Sequence, residues 1–203
     1  MTPKTIGLID YGMGNHASVA HSLREIGFRV RTSDDPQVLD LADVLLLPGV
    51  GAFPSAMREL HERGLVDYLK DQARRRKPLV GICLGMQLLT SASWEYEYTL
   101  GLDLIPGDIV HFPEGEWHIG WNTLELVQDD PILQPNEGQA FYFNHSFHYR
   151  GPDEFQFALT RHKLPFASII RRGNVLGMQF HPEKSQQAGR ILLRSLLEGL
   201  ANA

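Results

Sequence analysis

The 203-residue chain has a single cysteine, which excludes an intramolecular disulfide framework. A lone thiol fits a reducing compartment, so the cytoplasm is the expected location. Long hydrophobic runs are missing too, since no stretch approaches the ~18–20 apolar residues that a membrane span needs. The segment Met1–Asp10 is too short and wrongly flanked for a signal peptide. We therefore expect a soluble protein without membrane contact. Nor is there an excess of positive charge. Nineteen Lys and Arg stand against 24 Asp and Glu, and the basic residues are scattered apart from Arg74, Arg75, Arg76 and Lys77. A net charge of −5 spread in this way makes nucleic acid an unexpected partner. The 19 glycines and 12 prolines mark many turns, yet no Gly/Ser-rich linker, repeat or low-complexity tract divides the chain. One domain is expected.

What the sequence does contain is a repeated unit. Thr5–Asp10 is a short apolar run, and His16–Ile26 then places Ala17, Val19, Ala20, Leu23 and Ile26 at helical spacing. Phe28–Arg31 reads as a second strand, Asp35–Leu41 as a short helix, and Asp43–Leu47 as a third strand halted by Pro48-Gly49. Pro54–Arg63 and Leu60–Arg76 read as helical, the latter with a basic exposed face. Pro78–Ile82 is a fourth strand that ends at Cys83, with a helix expected from about Met86. Continuously apolar strands alternating with helices predict an α/β fold: an open, mostly parallel sheet flanked by helices. Short strand-like segments follow at Ile105–Gly107, Asp108–Phe112, Thr123–Val127, Ala140–Phe143 and Phe155–Thr160, which predict antiparallel additions in the second half. Asn174–Phe180 and Ser185–Leu200 read as a last strand and a terminal helix.

Ligands of open α/β sheets collect beyond the carboxyl ends of the strands. Gly81-Ile82-Cys83-Leu84-Gly85 sets the cysteine at such an end, between strand and helix, with a glycine two residues away on each side. That is the pattern of a nucleophile elbow, in which the following helix N-terminus favours a thiolate. The alternative is a small buried apolar residue. Among nine histidines His181 is the best placed base, because it ends the apolar run Val175–Phe180 and Glu183 lies close enough to orient it. Of the others, His61 and His162 read as exposed, whereas His111, His118, His145 and His148 read as packed against neighbouring aromatics. Pro48-Gly49-Val50-Gly51 is either an oxyanion-binding turn or a plain one. Gly12-x-Gly14-x-x-Ala17, with Asp34 at the distance of a ribose-binding acid, keeps a dinucleotide site open as a competing reading. Metal binding is not expected, since one cysteine and the spacings His145/His148 and His16/His21 match no familiar ligand set.

Gly81–Gln87 together with Gln179-Phe180-His181-Pro182-Glu183 resembles the class I, triad-type glutamine amidotransferases. Asp10–Asn15, Pro48–Phe53, Gly120-Trp121-Asn122, His145-Ser146 and Lys184-Ser185 extend the likeness, over nearly the whole chain, to the glutaminase subunits of imidazole glycerol phosphate synthases. The resemblance implies one amidotransferase domain over residues 1–203, in which Cys83 attacks the glutamine carboxamide, His181 carries the proton to the departing ammonia and Glu183 positions His181. It implies oxyanion stabilisation by N–H groups at Val50, Gly51 and Leu84, and glutamine binding by Gly49, Gln87, Glu95, His145 and Ser146. No cofactor is implied. Asn15, Trp121 and Lys184 match positions that face a partner, a cyclase (β/α)8 barrel that receives the ammonia in a heterodimer and makes imidazole glycerol phosphate for histidine biosynthesis. Glutaminase activity is then expected to stay low until the partner binds its ligand, through a backbone flip at Val50 and Gly51.

The chain departs from that pattern at Trp117, where the family usually has proline, and at Asn144 and Phe147, where it usually reads valine and tyrosine; the loop Trp94–Leu100 is also short. A paralogue that feeds ammonia to another synthase, such as one amidating a surface-polysaccharide sugar, is therefore the second expectation. A non-catalytic nucleotide-binding module and a different cysteine hydrolase complete the alternatives.

Overall fold

The computed structural model describes residues 3–113 and 116–202, so Met1 and Thr2 of the amino-terminal segment lie outside it. Its centre is an eight-stranded sheet in the order β2-β1-β3-β4-β14-β13-β12-β9. The strands β1 (Thr5–Ile9), β2 (Arg29–Ser33), β3 (Val44–Leu47), β4 (Leu79–Ile82) and β14 (Val175–Met178) run parallel. The strands β13 (Pro165–Arg172), β12 (Gln156–Arg161) and β9 (Glu125–Leu126) continue it antiparallel. β3, β4 and β14 are buried at every residue, as strands covered on both faces must be. The edge strand β2 has no such cover and is correspondingly polar.

Helices cover both faces. Ile6, Leu8, Leu46 and Val80 pack beneath α1 (His16–Glu25) and α6 (Gln186–Ala201), together with the aromatic side chains Phe141, Phe143, Phe166 and Phe180. Ile9, Leu45, Leu47 and Leu79 pack on the other side against α3 (Phe53–Glu62), α4 (Leu65–Arg74) and α5 (Leu84–Leu88). The short α2 (Pro36–Leu39) is capped by Asp35, whose side chain accepts from the Gln37 N–H. Among the described residues no helix is long and apolar enough to cross a membrane.

Two smaller sheets carry the rest. One has the order β11 (Phe147–Arg150), β7 (Ile105–His111), β5 (Thr90–Ser93), β6 (Thr99–Leu100), and the other pairs β8 (His118–Thr123) with β10 (Ala140–His145) antiparallel. The mostly parallel sheet and the antiparallel second half agree with the sequence. Several details do not. The helix expected over Leu60–Arg76 is two helices, broken where Gly64 takes φ 68°, a left-handed value that glycine adopts without strain. The segments Ile105–Gly107 and Asp108–Phe112 form one strand, β7, with a register shift opposite Thr90/Ala92. The expected Thr123–Val127 strand is the end of β8 followed by β9. The longest strand, β13, was not anticipated.

Candidate active site

Cys83 sits on the turn from β4 to α5 with φ 54° and ψ −111°, outside the comfortable region for a residue with a side chain. The strand holds it from one side, since the Cys83 N–H donates to the Met178 carbonyl of β14 at 2.8 Å. Packing holds it from the other. A Cβ on Gly85 would overlap the Leu47 carbonyl oxygen, and one on Gly49 would lie 2.8 Å from the Gly85 nitrogen, the Leu84 Cβ and the Tyr11 hydroxyl. The end of β3 and the start of α5 therefore meet backbone on backbone, which fixes where the thiol points.

His181 follows β14 and is only 4% exposed. Its Nδ1 is 2.8 Å from Glu183 Oε1, whose side chain is buried with it. Burial disfavours a charge on this imidazole, but the adjoining Cys83 and the hydrogen-bonded Glu183 carboxylate outweigh it and raise its pKa to about 10. Cys83, His181 and Glu183 thus form one connected array, the arrangement expected of nucleophile, base and orienter. Gln179, not singled out in the sequence, joins it. Its amide Nε2 lies 3.9 Å from Cys83 Sγ, and its Oε1 accepts from Gln87 Nε2 at 3.2 Å. Its position two residues before His181 was the available signal.

The array opens on a cavity of about 310 Å³ lined by Val50, Gly51, Leu84, Gln87, Glu95 and the His145–Phe147 segment, with Trp117, Ile119, Asn144 and Lys184 among its other walls. Every expected glutamine-binding residue except Gly49 lines it, and Gly49 lies directly behind, against Leu84. Trp117, Asn144 and Phe147, the three positions that depart from the family pattern, line it as well. The turn at its edge has a clamped root and a free tip: the Tyr11 hydroxyl donates to the Pro48 carbonyl at 2.8 Å, while Val50 is 42% exposed and Gly51 has φ 106°.

Glu95 comes from the β5–β6 connection. Its Oε2 accepts the Phe53 N–H at 2.7 Å and so caps α3, whose own N-cap residue Ala52 has no side chain able to do so. Burial raises the Glu95 pKa, with the Phe53 N–H and His111 opposing. His145 is different from the sequence expectation. Its Nδ1 is 2.7 Å from the Phe147 carbonyl and its Nε2 is 3.1 Å from His118 Nδ1, so neither ring nitrogen is free for a ligand. The His145–Ser146 segment can hold glutamine only through its backbone or the Ser146 hydroxyl. Burial, reinforced by the neighbouring histidines against the Phe147 carbonyl, lowers the His145 pKa to about 3.

The four histidines expected to pack on aromatics do so: Phe112 stacks on His148 at 4.6 Å, His111 meets Phe147 at 4.7 Å, and His118 and His145 lie against Phe166. His162, expected exposed, is half-buried in the same cluster, 4.6 Å from the His118 ring. The Gly12–Asn15 loop is partly covered at its middle residues, while Gly12 and Asn15 are exposed. Met13 lies against Gly51, and Arg63, the residue that follows α3, reaches over Gly12 to pair with Asp34 at 3.0 Å. The acid a dinucleotide site would need is thereby engaged. Among the described residues no group of three or more His, Cys, Asp or Glu is arranged to hold a metal ion.

Asn15, Trp121 and Lys184 are exposed. Asn15 accepts the Ser18 N–H as the cap of α1, while the Lys184 ammonium lies 5.8 Å from the Tyr142 ring, itself 6.2 Å from Trp121. Tyr142 was missed, although as the cross-strand partner of Trp121 it shares that face of the β8–β10 ribbon.

Comparison with known proteins agrees with this geometry. Residues 7–197 match the family Glutamine amidotransferase class-I. The chain is 41% identical over 197 residues to the imidazole glycerol phosphate synthase subunit HisH of Listeria monocytogenes, covering 95% of each protein. It is 43% identical over 195 residues to the HisH subunit of Methanothermobacter thermautotrophicus, covering 95% of this chain and 98% of the relative. Solved structures share the fold at lower identity: a glutamine amidotransferase at TM-score 0.77 and 20% identity, over 98% of this chain and 99% of the other. PurLQS from Thermotoga maritima gives TM-score 0.77 at 19% identity, over 98% of this chain and 100% of the other. A nucleophile elbow, a buried His–Glu pair and a cavity between them thus coincide with full-length similarity, and the chain belongs to the class-I glutamine amidotransferase family.

Proposed function

We propose that this chain is the glutaminase subunit of a cytoplasmic imidazole glycerol phosphate synthase, hydrolysing L-glutamine and passing the ammonia to a cyclase (β/α)8-barrel partner. The observation that carries the reading is the connected array Cys83–His181–Glu183 at the mouth of a cavity lined by the expected glutamine-binding residues. The similarity to HisH subunits over nearly the whole chain supports the partner.

The reaction follows from the groups present. The Cys83 thiolate adds to the side-chain carbonyl carbon of glutamine, and the charge moves to the carbonyl oxygen. Leu84 opens α5, where N–H groups have no helical acceptor, and its N–H with those of Val50 and Gly51 receives that oxyanion. His181 gives its proton to the amide nitrogen, the C–N bond breaks, and ammonia leaves behind a thioester. Water, deprotonated by His181, attacks the thioester and releases glutamate. Glu183 holds His181 and stabilises its charge. Glu95, whose second carboxylate oxygen makes no hydrogen bond among the described residues, offers the glutamine amino group a partner. The exposed tip Val50–Gly51 on its clamped root is suited to the backbone flip that switches the oxyanion hole on with the partner, a shift of population between two turn conformations.

Glutamate production by the purified chain, with and without a cyclase barrel carrying its nucleotide ligand, tests this. Strong stimulation is expected. Turnover without response to that barrel would favour the second reading, ammonia delivery to a different synthase, to which Trp117, Asn144 and Phe147 in the cavity wall lend support.

A further inference from the structure

The β8–β10 ribbon has two faces with different tasks. Its outer face carries the Ile119/Asn144 pair at the cavity and the Trp121/Tyr142 pair beyond it; its inner face carries His118 opposite His145, and Asn122. The inner groups are joined in one line. The Asn122 amide Nδ2 lies 2.9 Å from the Arg161 carbonyl and 3.2 Å from His118 Nε2, and His118 Nδ1 lies 3.1 Å from His145 Nε2. His145 Nδ1 closes the line on the Phe147 carbonyl at 2.7 Å.

Only one placement of hydrogens satisfies it. A carbonyl can only accept, so His145 Nδ1 carries a proton. The neutral ring then leaves Nε2 as an acceptor, which requires His118 to donate from Nδ1. His118 Nε2 must accept in turn, and the two amide hydrogens of Asn122 serve it and the Arg161 carbonyl. The Asn122 oxygen faces the Thr123 N–H at 2.8 Å, which fixes the amide orientation. Protonating either ring would set donor against donor in a buried site, and burial lowers the pKa of both, His118 to about 4 and His145 to about 3. The histidines His162 and His148 that face them add to this effect.

We propose that His118 is a positioning residue for glutamine hydrolysis: through a one-way Asn122–His118–His145–Phe147 relay it locks the Asn144–Phe147 wall of the cavity to the strand that bears Trp121. The kinetic side of this inference rests on the glutaminase reading; the proton placement does not. Nothing in the relay touches the reacting atoms, so its loss shows in binding of glutamine.

Two measurements test it. Long-range nitrogen–proton NMR of the full wild-type chain is expected to show His118 and His145 both protonated at Nδ1 and unresponsive to pH between about 5.5 and 8. A proton on Nε2 of either ring, or titration in that range, overturns the relay whatever the chain hydrolyses. His118→Leu leaves the buried His145 acceptor without a partner and the Asn122 amide with only the Arg161 carbonyl, and is expected to raise KM for glutamine about tenfold with kcat changed much less. His118→Asn keeps a donor toward His145 and is expected to restore KM to within about threefold of wild type. A wild-type KM in His118→Leu, a loss confined to kcat, or no rescue by His118→Asn would overturn the positioning role.

Discussion

The Cys83 wall and the His145 wall of the cavity are held by different forces. Cys83 is fixed by exclusion: Gly49 and Gly85 let two backbone segments, the end of β3 and the start of α5, touch, and no larger residue fits between them. His145 is fixed by direction, through hydrogen bonds that each specify a donor and an acceptor. Exclusion is rigid and tolerates no substitution, which suits a nucleophile that must not move. Directional bonds hold a wall just as firmly but leave its position dependent on a chain of partners that ends on the Trp121 strand. The first device fixes where the Cys83 thiol points, and the second ties the Asn144–Phe147 wall to the Trp121 strand.

The largest effect expected tests whether the first wall carries the chemistry at all. Cys83→Ala should lower glutamate formation by about 10⁴-fold or more, with an unchanged circular dichroism spectrum. Residual turnover within tenfold of wild type would remove Cys83 as nucleophile. Next comes the exclusion itself. Gly85→Ala should cost at least about 3 kcal/mol of stability, read as a fall in the urea midpoint, because the added Cβ meets the Leu47 carbonyl and backbone cannot yield cheaply.

Glu183→Gln removes the charge behind His181 and should lower kcat by about 10²-fold without large loss of stability. It also bears on pH. The folded pKa of His181, about 10, lies above its ordinary value, so its contribution to stability is complete below about pH 6.5 and is lost as pH rises toward 10. Unfolding free energy from this group should fall with pH in that window, by at most about 1.4 kcal/mol per pH unit. In Cys83→Ala, with one of the two partners gone, the folded pKa should drop and the fall in stability should end at a lower pH; an unchanged window would place its origin elsewhere. Glu95→Gln keeps an acceptor for the Phe53 N–H but loses the charge, so KM for glutamine should rise about tenfold while the melting temperature moves little.

Much of the first wall was legible in the sequence because exclusion leaves a local trace. Glycines two residues either side of Cys83, after a continuous apolar strand, could be read directly. The second wall was not, because the partners of a directional bond lie far apart: His118 and His145 are 27 positions apart and Asn122 meets Arg161 across 39. β13 escaped notice because it begins at Pro165 and ends in Arg171-Arg172, although its middle five residues are buried. The Thr90–Ser93 strand escaped because its residues are small and polar and buried only by the fold around them. The break at Gly64 was hidden by Leu60, Leu65, Val66 and Leu69, which keep an apolar stripe across it.

The smallest effect separates exclusion from the mere presence of glycine. Gly64 takes φ 68° between α3 and α4, and nothing lies within 4 Å of the place a Cβ would occupy. Gly64→Ala therefore meets only the backbone penalty, about 1 kcal/mol, and should leave kcat and KM unchanged. Gly85 lies within α5 without a left-handed φ, so if the Gly64→Ala midpoint fell as far as that of Gly85→Ala, contact with the Leu47 carbonyl would cost no more than a strained turn. The Cys83 wall would then be no more tightly specified than an ordinary turn. A threefold or larger gap between the two costs instead assigns the excess to the meeting of β3 and α5 behind the nucleophile.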